Sequence, residues 1–137
     1  IKYFERASKY FLKHLPTDLC PYWDLSFGDG DENEQPRDSS SGAIAVCGFL
    51  EMSKYLDEES KAYYTSVAKK IMYSLIKNYQ VKDKSISNGQ LLHGTYAKKT
   101  PYNTCKNSGV DECVIWGDYF FMEALTRLSR PDWKMYW

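Results

Sequence analysis

The 137 residues suit one domain by length, and a chain of that size buries roughly two thirds of the surface it exposes when unfolded. Eighteen basic residues against eighteen acidic ones leave no net charge, which excludes recruitment to nucleic acid or an anionic membrane by a protein-wide field. No run approaches the ~18 apolar residues of a membrane-spanning helix, and the aromatic fraction of 16%, with twelve Tyr and four Trp, suits a sugar-stacking cleft or an aromatic core equally.

The chain opens on IKYFERASKYFLKHL, with neither an initiator Met nor a signal-peptide pattern. Tyr3, Phe4, Ala7, Tyr10 and Phe11 keep helical period from the first turn with no capping residue before them, so a longer parent chain is expected. This first helix is expected from about Ile1 to His14, stopping before Pro16 because proline cannot continue it. Residues 16–38 form an unusually long connection. Its aromatic half, CPYWDL, is a candidate site wall, and its acidic half, GDGDENEQPRD, is expected as a solvated turn.

A second helix starts near Ser39 to Ser41, where hydroxyls can cap free N–H groups, with an apolar face of Ala43, Ile44, Val46, Cys47, Leu50 and Met52. The small residues of SSSGAIAVCG let a neighbouring helix approach closely. A third helix follows YLDEE and carries Tyr63, Val67, Ala68, Ile71, Met72, Leu75 and Ile76 at 3/4 spacing. Asp57, Glu58 and Glu59 sit at its start, where the helix dipole favours negative charge. LLHGTYA suits a short extended segment before a second long loop, KKTPYNTCKNSG, and a fourth helix occupies about 116–129. The sum is an all-α chain of helical hairpins whose long loops are gathered for function.

Of the four Cys, at 20, 47, 105 and 113, none shows CxxC spacing, and with only His14 and His93 beside them no zinc site is expected. Cys47 reads as a core thiol, Cys105 and Cys113 can approach across a loop, and a reducing compartment is the default. A glycosidase needs one protonated and one ionised carboxyl, roughly 5–9.5 Å apart. Asp24, preceded by two aromatic residues, and Asp38, before three serines, are candidates. Capping the second helix is the plainer role for Asp38, while Asp24 either orients a loop or touches a ligand. His93 belongs to the residue type that exchanges protons near neutrality, and it equally suits a hydrogen-bonded structural role. NSG at 107–109 lacks the rest of any phosphate-cradling loop.

In GVDECVIWGDYFFMEALTRL, Asp118 falls in or near the first helical turn, where its charge contributes about 0.3–1 kcal/mol with the dipole. Glu123 lies five residues on, in the helix body and off that face. Asp111 and Glu112 lie in the approaching loop. These acids read as structural rather than catalytic.

Five blocks run in order from Cys20 to Trp137: CPYWDL, DSSSGAIAVCGFLEM, LLHGTYA, GVDECVIWGDYFFMEAL and DWKMYW. Together they resemble the C-terminal part of the unsaturated glucuronyl hydrolases, glycoside hydrolase family 88. The resemblance implies that residues 1–137 are roughly the last third of a single (α/α)6-barrel catalytic domain whose N-terminal part precedes Ile1. The implied reaction hydrates the C4=C5 double bond that polysaccharide lyases leave on the non-reducing-end uronic acid of glycosaminoglycan oligosaccharides. In the family an Asp acts as general acid at C4 and as general base toward the water attacking C5. The hemiketal then opens and releases the sugar, with no metal or other cofactor.

The family's catalytic Asp residues match none of Asp24, Asp38, Asp111 or Asp118, so no catalytic residue is expected in this chain. Substrate contact carries over from the family to Trp23 of PYWD and Tyr96 of HGTY, with His93 and Trp116 on the same wall. Where some relatives hold a Ser- and Lys-rich cluster that reads sulfation, this chain has the longer AKKTPYNTCKNSG, whose Lys98, Lys99 and Lys106 are candidates to meet a sulfate. The implied partners are an unsaturated glycosaminoglycan oligosaccharide and either the rest of the barrel or a second copy, with no nucleic acid and no membrane. The cytoplasm is the expected compartment, the periplasm the other option. A second reading is a stand-alone helical carbohydrate-binding or interaction module that uses Trp23 and Tyr96 as a stacking platform.

Overall fold

The structure, a computed structural model, describes residues 1–33, 35–98, 109–130 and 132–135. Four α-helices make it up: α1 Lys2–Lys13, α2 Ser39–Met52, α3 Glu58–Ser74 and α4 Ile115–Ser129. A 3-10 turn at Ser53–Tyr55 follows α2, and a π-helical turn at Leu75–Tyr79 closes α3. Among the described residues, extended backbone pairs only as isolated bridges: Tyr22 with Arg37, Gln80 with Leu91, Gly94 with Glu112 and Ala97 with Gly109. The expected extended LLHGTYA segment supplies one side of three of them.

Local chemistry sets the helix ends. The Asp38 carboxylate accepts from Ser40 N at 3.2 Å and caps α2, and Asp57 accepts from Ser60 N at 2.9 Å and caps α3. At the far end of α3 the ladder slips by one residue, with Gln80 N donating to Leu75 O at 2.9 Å. Gln80 then turns extended and starts the connection toward the site.

The central element is α2, which packs against both α3 and α4. Its small residues allow the close approach expected of them: a Cβ on Gly117 of α4 would stand 3.1 Å from Ser40 Cβ. Val46, Ala68, Ile71, Leu75, Phe121 and Ala124 are fully buried around it. Full burial of a side chain as large as Phe121 contributes about 1.5–3 kcal/mol. Phe4 and Phe11 attach α1 through an aromatic cluster, with ring centroids 4.9 Å apart for Phe4–Tyr64 and 5.5 Å for Phe49–Tyr64.

Three helical faces share residues with the expected ones and differ from them at individual positions. On α1, Tyr3, Ala7 and Tyr10 are exposed while Ser8 is buried beside Phe4 and Phe11. On α2, Ile44 is exposed and Phe49 enters the core; on α3, Tyr64 replaces Tyr63, and Ile76 stays outside. Neighbouring apolar residues offer two stripes about 100° apart on a 3.6-residue helix, and the packing partner selects between them. On α4, Ile115, Tyr119 and Met122 form an exposed apolar stripe.

Candidate functional site

The segments expected as site walls converge on the N-terminal end of α2. Asp38 N donates to Pro21 O at 2.9 Å and Trp23 N to Pro36 O at 3.1 Å, so PYWD runs alongside residues 36–38. From the other side, Ser39 N donates to His93 O at 3.0 Å and Ser39 Oγ to Leu92 O at 2.6 Å. LLHGTY is therefore fastened across the same helix end. Gly94 and Glu112 exchange both backbone hydrogen bonds, at 2.7 and 2.9 Å, and bring the entry to α4 alongside. With Asp38 N on Pro21 O, Ser39 N on His93 O and Ser40 N on the Asp38 carboxylate, three N–H groups at the start of α2 are already engaged within the protein.

Trp116, on the first turn of α4, donates Nε1 to Ser40 Oγ at 3.3 Å, and Ser40 Oγ donates to Asp38 Oδ1 at 2.5 Å. The Tyr96 ring meets Trp116 edge-on, with centroids 5.4 Å apart and planes at 77°. Tyr96 remains 51% exposed and Trp116 40%, so both present ring surface to solvent. The pair is therefore an exposed aromatic surface whose indole N–H edge is pinned. Gly109 makes room for it: a Cβ there would come within 2.7 Å of the Tyr96 ring.

His93 sits beside this pair in a left-handed backbone conformation, φ 64°, and Asp111 opposite it has φ 61°. Such conformations are costly for residues other than glycine and persist where the surroundings hold them. Here the His93 Nδ1 contacts Asp111 Oδ1, the His93 ring stands edge-on to Tyr79 at 5.6 Å, and Asp111 N donates to Thr95 Oγ1 at 3.2 Å. Gln35, Pro36, Arg37, His93, Lys98 and Asp111 line an adjoining cavity of about 380 Å³.

Of the four expected contact residues, Tyr96 and Trp116 touch directly, and His93 is tied to them through Asp38, Ser39 and Ser40. Trp23 is partly buried and reaches the cluster only through the backbone of residues 36–38; no ring contact joins it to the others among the described residues. Lys98 donates to Gln35 Oε1 at 2.7 Å, while Lys99, Lys106 and Cys105 lie outside the described residues. Cys113 is a free thiol that accepts from Ser87 Oγ at 3.1 Å.

The carboxylates are committed to structure. Asp24 accepts from Ser26 N at 2.8 Å, and this backbone hydrogen bond holds its carboxyl below the usual range. Asp118 lies in the first turn of α4 as expected, but its carboxylate does more than face its own helix. It accepts from Gln90 N and Leu91 N, both at 2.9 Å, and so anchors the start of LLHG. Among the described residues no group of three or more His, Cys, Asp or Glu side chains is placed to hold a metal ion.

Two residues that the sequence did not single out brace the wall. Arg37 places Cζ 3.9 Å from the Tyr22 ring centroid, pairs with Asp18 at 3.3 Å and donates to Cys20 O at 2.9 Å. Asp18 also accepts from Cys20 N and from the Tyr79 hydroxyl. Burial pushes both the Cys20 thiol and the Tyr79 hydroxyl above their ordinary values, reinforced by the nearby Asp18 charge. An Arg between Pro and Asp in a polar loop carries no periodic signal, so only the fold reveals its partners.

No protein-family profile matches the chain. It is 45% identical over 139 residues to the unsaturated chondroitin disaccharide hydrolase of Streptococcus pyogenes serotype M1, a match covering 100% of this chain and 33% of that protein. With the unsaturated glucuronyl hydrolase of Bacillus sp. strain GL1 it shares 34% identity over 128 residues, 92% of this chain and 32% of that one. A variant of the unsaturated glucuronyl hydrolase from Streptococcus agalactiae, solved in complex with dGlcA-GalNAc6S, superposes with a TM-score of 0.82 at 43% identity. That superposition covers 95% of this chain and 33% of the other. The chain thus spans about a third of the length of the relatives it matches. Agreement of sequence and helical fold along nearly its whole length shows that the chain belongs to the unsaturated glucuronyl hydrolase family.

Proposed function

We propose that this chain is the C-terminal segment of an (α/α)6-barrel enzyme that hydrates the C4=C5 double bond of a non-reducing-end unsaturated uronic acid in lyase-generated glycosaminoglycan oligosaccharides. The observation that carries this reading is the 45% identity, along all of the chain, to a protein named for hydrolysis of unsaturated chondroitin disaccharides. The segment's part is substrate contact. Tyr96 and Trp116 offer ring faces to the sugar, His93 offers a hydrogen-bonding edge, and Trp23 closes the wall from the PYWD side. The general acid and base are assigned outside this stretch, because the family's catalytic Asp residues match none of Asp24, Asp38, Asp111 or Asp118. The exposed stripe Ile115, Tyr119 and Met122 supports packing against further barrel helices or a second copy. Free thiols at Cys20, Cys47 and Cys113 support a reducing, cytoplasmic compartment.

The test follows the ultraviolet absorbance of the unsaturated uronate. The 137-residue chain alone should leave it unchanged. A chimera in which the chain replaces the matching third of the S. pyogenes enzyme should consume an unsaturated chondroitin disaccharide. Turnover by the chain alone would overturn the assignment of the acid elsewhere, and a folded but inactive chimera would overturn the reaction itself. The Tyr96–Trp116 pair also suits a stand-alone carbohydrate-binding module, which predicts disaccharide binding by a two-state monomer together with an inactive chimera.

A further inference from the structure

Away from the α2 end, the outer face of α3 concentrates positive charge. Residues 66–84 hold five lysines, Lys69, Lys70, Lys77, Lys82 and Lys84, against one acid, Asp83, in a chain whose total charge is zero. Ser66, Lys69, Lys70, Tyr73 and Lys77 recur at helical spacing and line a groove of about 460 Å³ that Thr17 helps close. In the middle of the row Tyr73 is 66% exposed, with the Lys77 ammonium 5.9 Å from its ring centroid. Lys82 Nζ donates to Lys77 O at 2.6 Å, which sets a further ammonium at the end of the row.

Among the described residues, Lys69, Lys70, Lys77 and Lys82 form no ion pair with a carboxylate. Asp18 lies at the groove's rim, but Arg37 and the Tyr79 hydroxyl already engage it. The helix dipole favours cations in the last turn, which accounts for Lys77 but not for Lys69 and Lys70. With Ser66 and Tyr73 at the intervening helical steps, no carboxylate stands three or four residues from Lys69, Lys70 or Lys77 in the row, so it gains no ion-pair support for α3. An anion laid along it would supply the counter-charge that these ammonium groups do not find within the described residues.

We propose that this face is a secondary binding surface for a polyanionic polysaccharide. A sulfated or uronate-rich chain lies along α3, stacks one sugar on Tyr73, and places its anionic groups on Lys69 and Lys70 at one end and Lys77 and Lys82 at the other. Lys70 to Lys77 rises roughly 10.5 Å along the helix, about the length of two linked pyranose rings. A single exposed phenol on a groove that Ser66 also lines fits a sugar better than nucleic acid, which calls for a run of stacking rings and a wider field. The proposal deepens the reading above and rests on it only for the class of ligand.

The experiment titrates the 137-residue chain with a fluorescent, saturated chondroitin 6-sulfate decasaccharide and follows anisotropy at about 20 and 200 mM salt, which straddle strong and weak screening. Binding is expected at low salt. The triple variant Lys69→Gln/Lys70→Gln/Lys77→Gln should weaken it about tenfold, on roughly twofold for each exposed charge pair. Tyr73→Ala should weaken it as well. Lys2→Gln/Lys9→Gln/Lys13→Gln removes equal charge from α1 and should leave it unchanged, with melting temperatures of all variants equal to the parent's. Absence of binding at low salt, or equal loss in both triple variants, overturns the proposal. Preferential displacement by an oligonucleotide of equal charge would assign the face to nucleic acid instead and overturn it too. The decasaccharide has no C4=C5 bond, and its binding is expected to survive Trp116→Ala, so failure here is separable from failure of the hydration reading.

Discussion

Arg127→Ala probes the buried charges between α2 and α4. The Arg127 side chain is 5% exposed; its Nη1 donates to Glu51 Oε2 at 2.6 Å and its Nε to Glu123 Oε1 at 2.8 Å. Its guanidinium also lies over Trp133, with Cζ 4.2 Å from the ring centroid. Glu51 is 22% exposed and keeps Lys54 at 2.8 Å, so it tolerates the loss. Glu123 is as buried as its partner, and removing the cation leaves a carboxylate desolvated and unpaired, which costs about 3–5 kcal/mol. The lost cation–π contact adds about 0.5–1 kcal/mol. A domain of this size moves its melting midpoint by roughly 3–5 °C for each kcal/mol, so far-ultraviolet circular dichroism should show a fall of roughly 10–30 °C. A fall below about 3 °C would refute the reasoning. Glu123→Gln added to Arg127→Ala should restore part of the loss, because a neutral amide is cheaper to bury than an unpaired carboxylate. A double variant no more stable than the single one would show that the unpaired charge is not the cause.

Four further outcomes follow from the same geometry. Trp116→Ala in the active chimera should raise KM roughly three- to tenfold, from the ~0.5–1.5 kcal/mol typical of an aromatic pair, with kcat little changed; an unchanged KM removes Trp116 from the site. Asp118→Ala should cost about 1.5–3 kcal/mol and accelerate amide exchange at Gln90 and Leu91, whose N–H groups it accepts; unaltered exchange there would contradict the anchor. Asp24, Asp57 and Asp83 are each held below the ordinary carboxyl value by a backbone N–H, from Ser26, Ser60 and Ser85. A depressed folded-state pKa adds stability above the unfolded value, near 3.9, and loses it as pH falls through the folded one. The melting temperature should therefore be level above about pH 5 and drop below about pH 4, and a maximum at pH 3 would contradict this sign. Burial and the nearby Glu123 push Cys47 up to about 12, and burial also raises Cys20, so neither should take up maleimide at pH 8 until urea is added. Mass spectrometry of the native protein labelled within minutes at either position would show that these thiols are not sealed in the core.

Much of the fold was legible because its causes are local. Pro16 stops α1, Asp38 and Asp57 sit where carboxylates accept helix-start N–H groups, and the 3/4 spacing of apolar residues marks α3. The small residues of α2 announced a close neighbour, and Gly117 is where that neighbour comes closest. Which of two adjacent stripes turns inward was not legible. Tyr63 and Tyr64 are equally apolar in sequence, and only the packing of Phe4 and Phe49 against Tyr64 chooses between them.

The candidate site divides the same way. Sequence by itself determined the helical class, the segments CPYWDL, LLHGTY and GVDECVIWGD as the family's markers, and the aromatic residues among them, since these depend on residue type and order. Tertiary structure alone decided that Tyr96 meets Trp116 edge-on, that His93 faces Asp111 across eighteen positions, and that Asp118 holds Gln90 and Leu91. It also paired Arg37 with Asp18 and Arg127 with Glu51. The physical reason is that capping and periodicity are energies between near neighbours along the chain, whereas ring stacking, ion pairing and burial depend on distances that exist only after α2 has gathered the loops around its first turn.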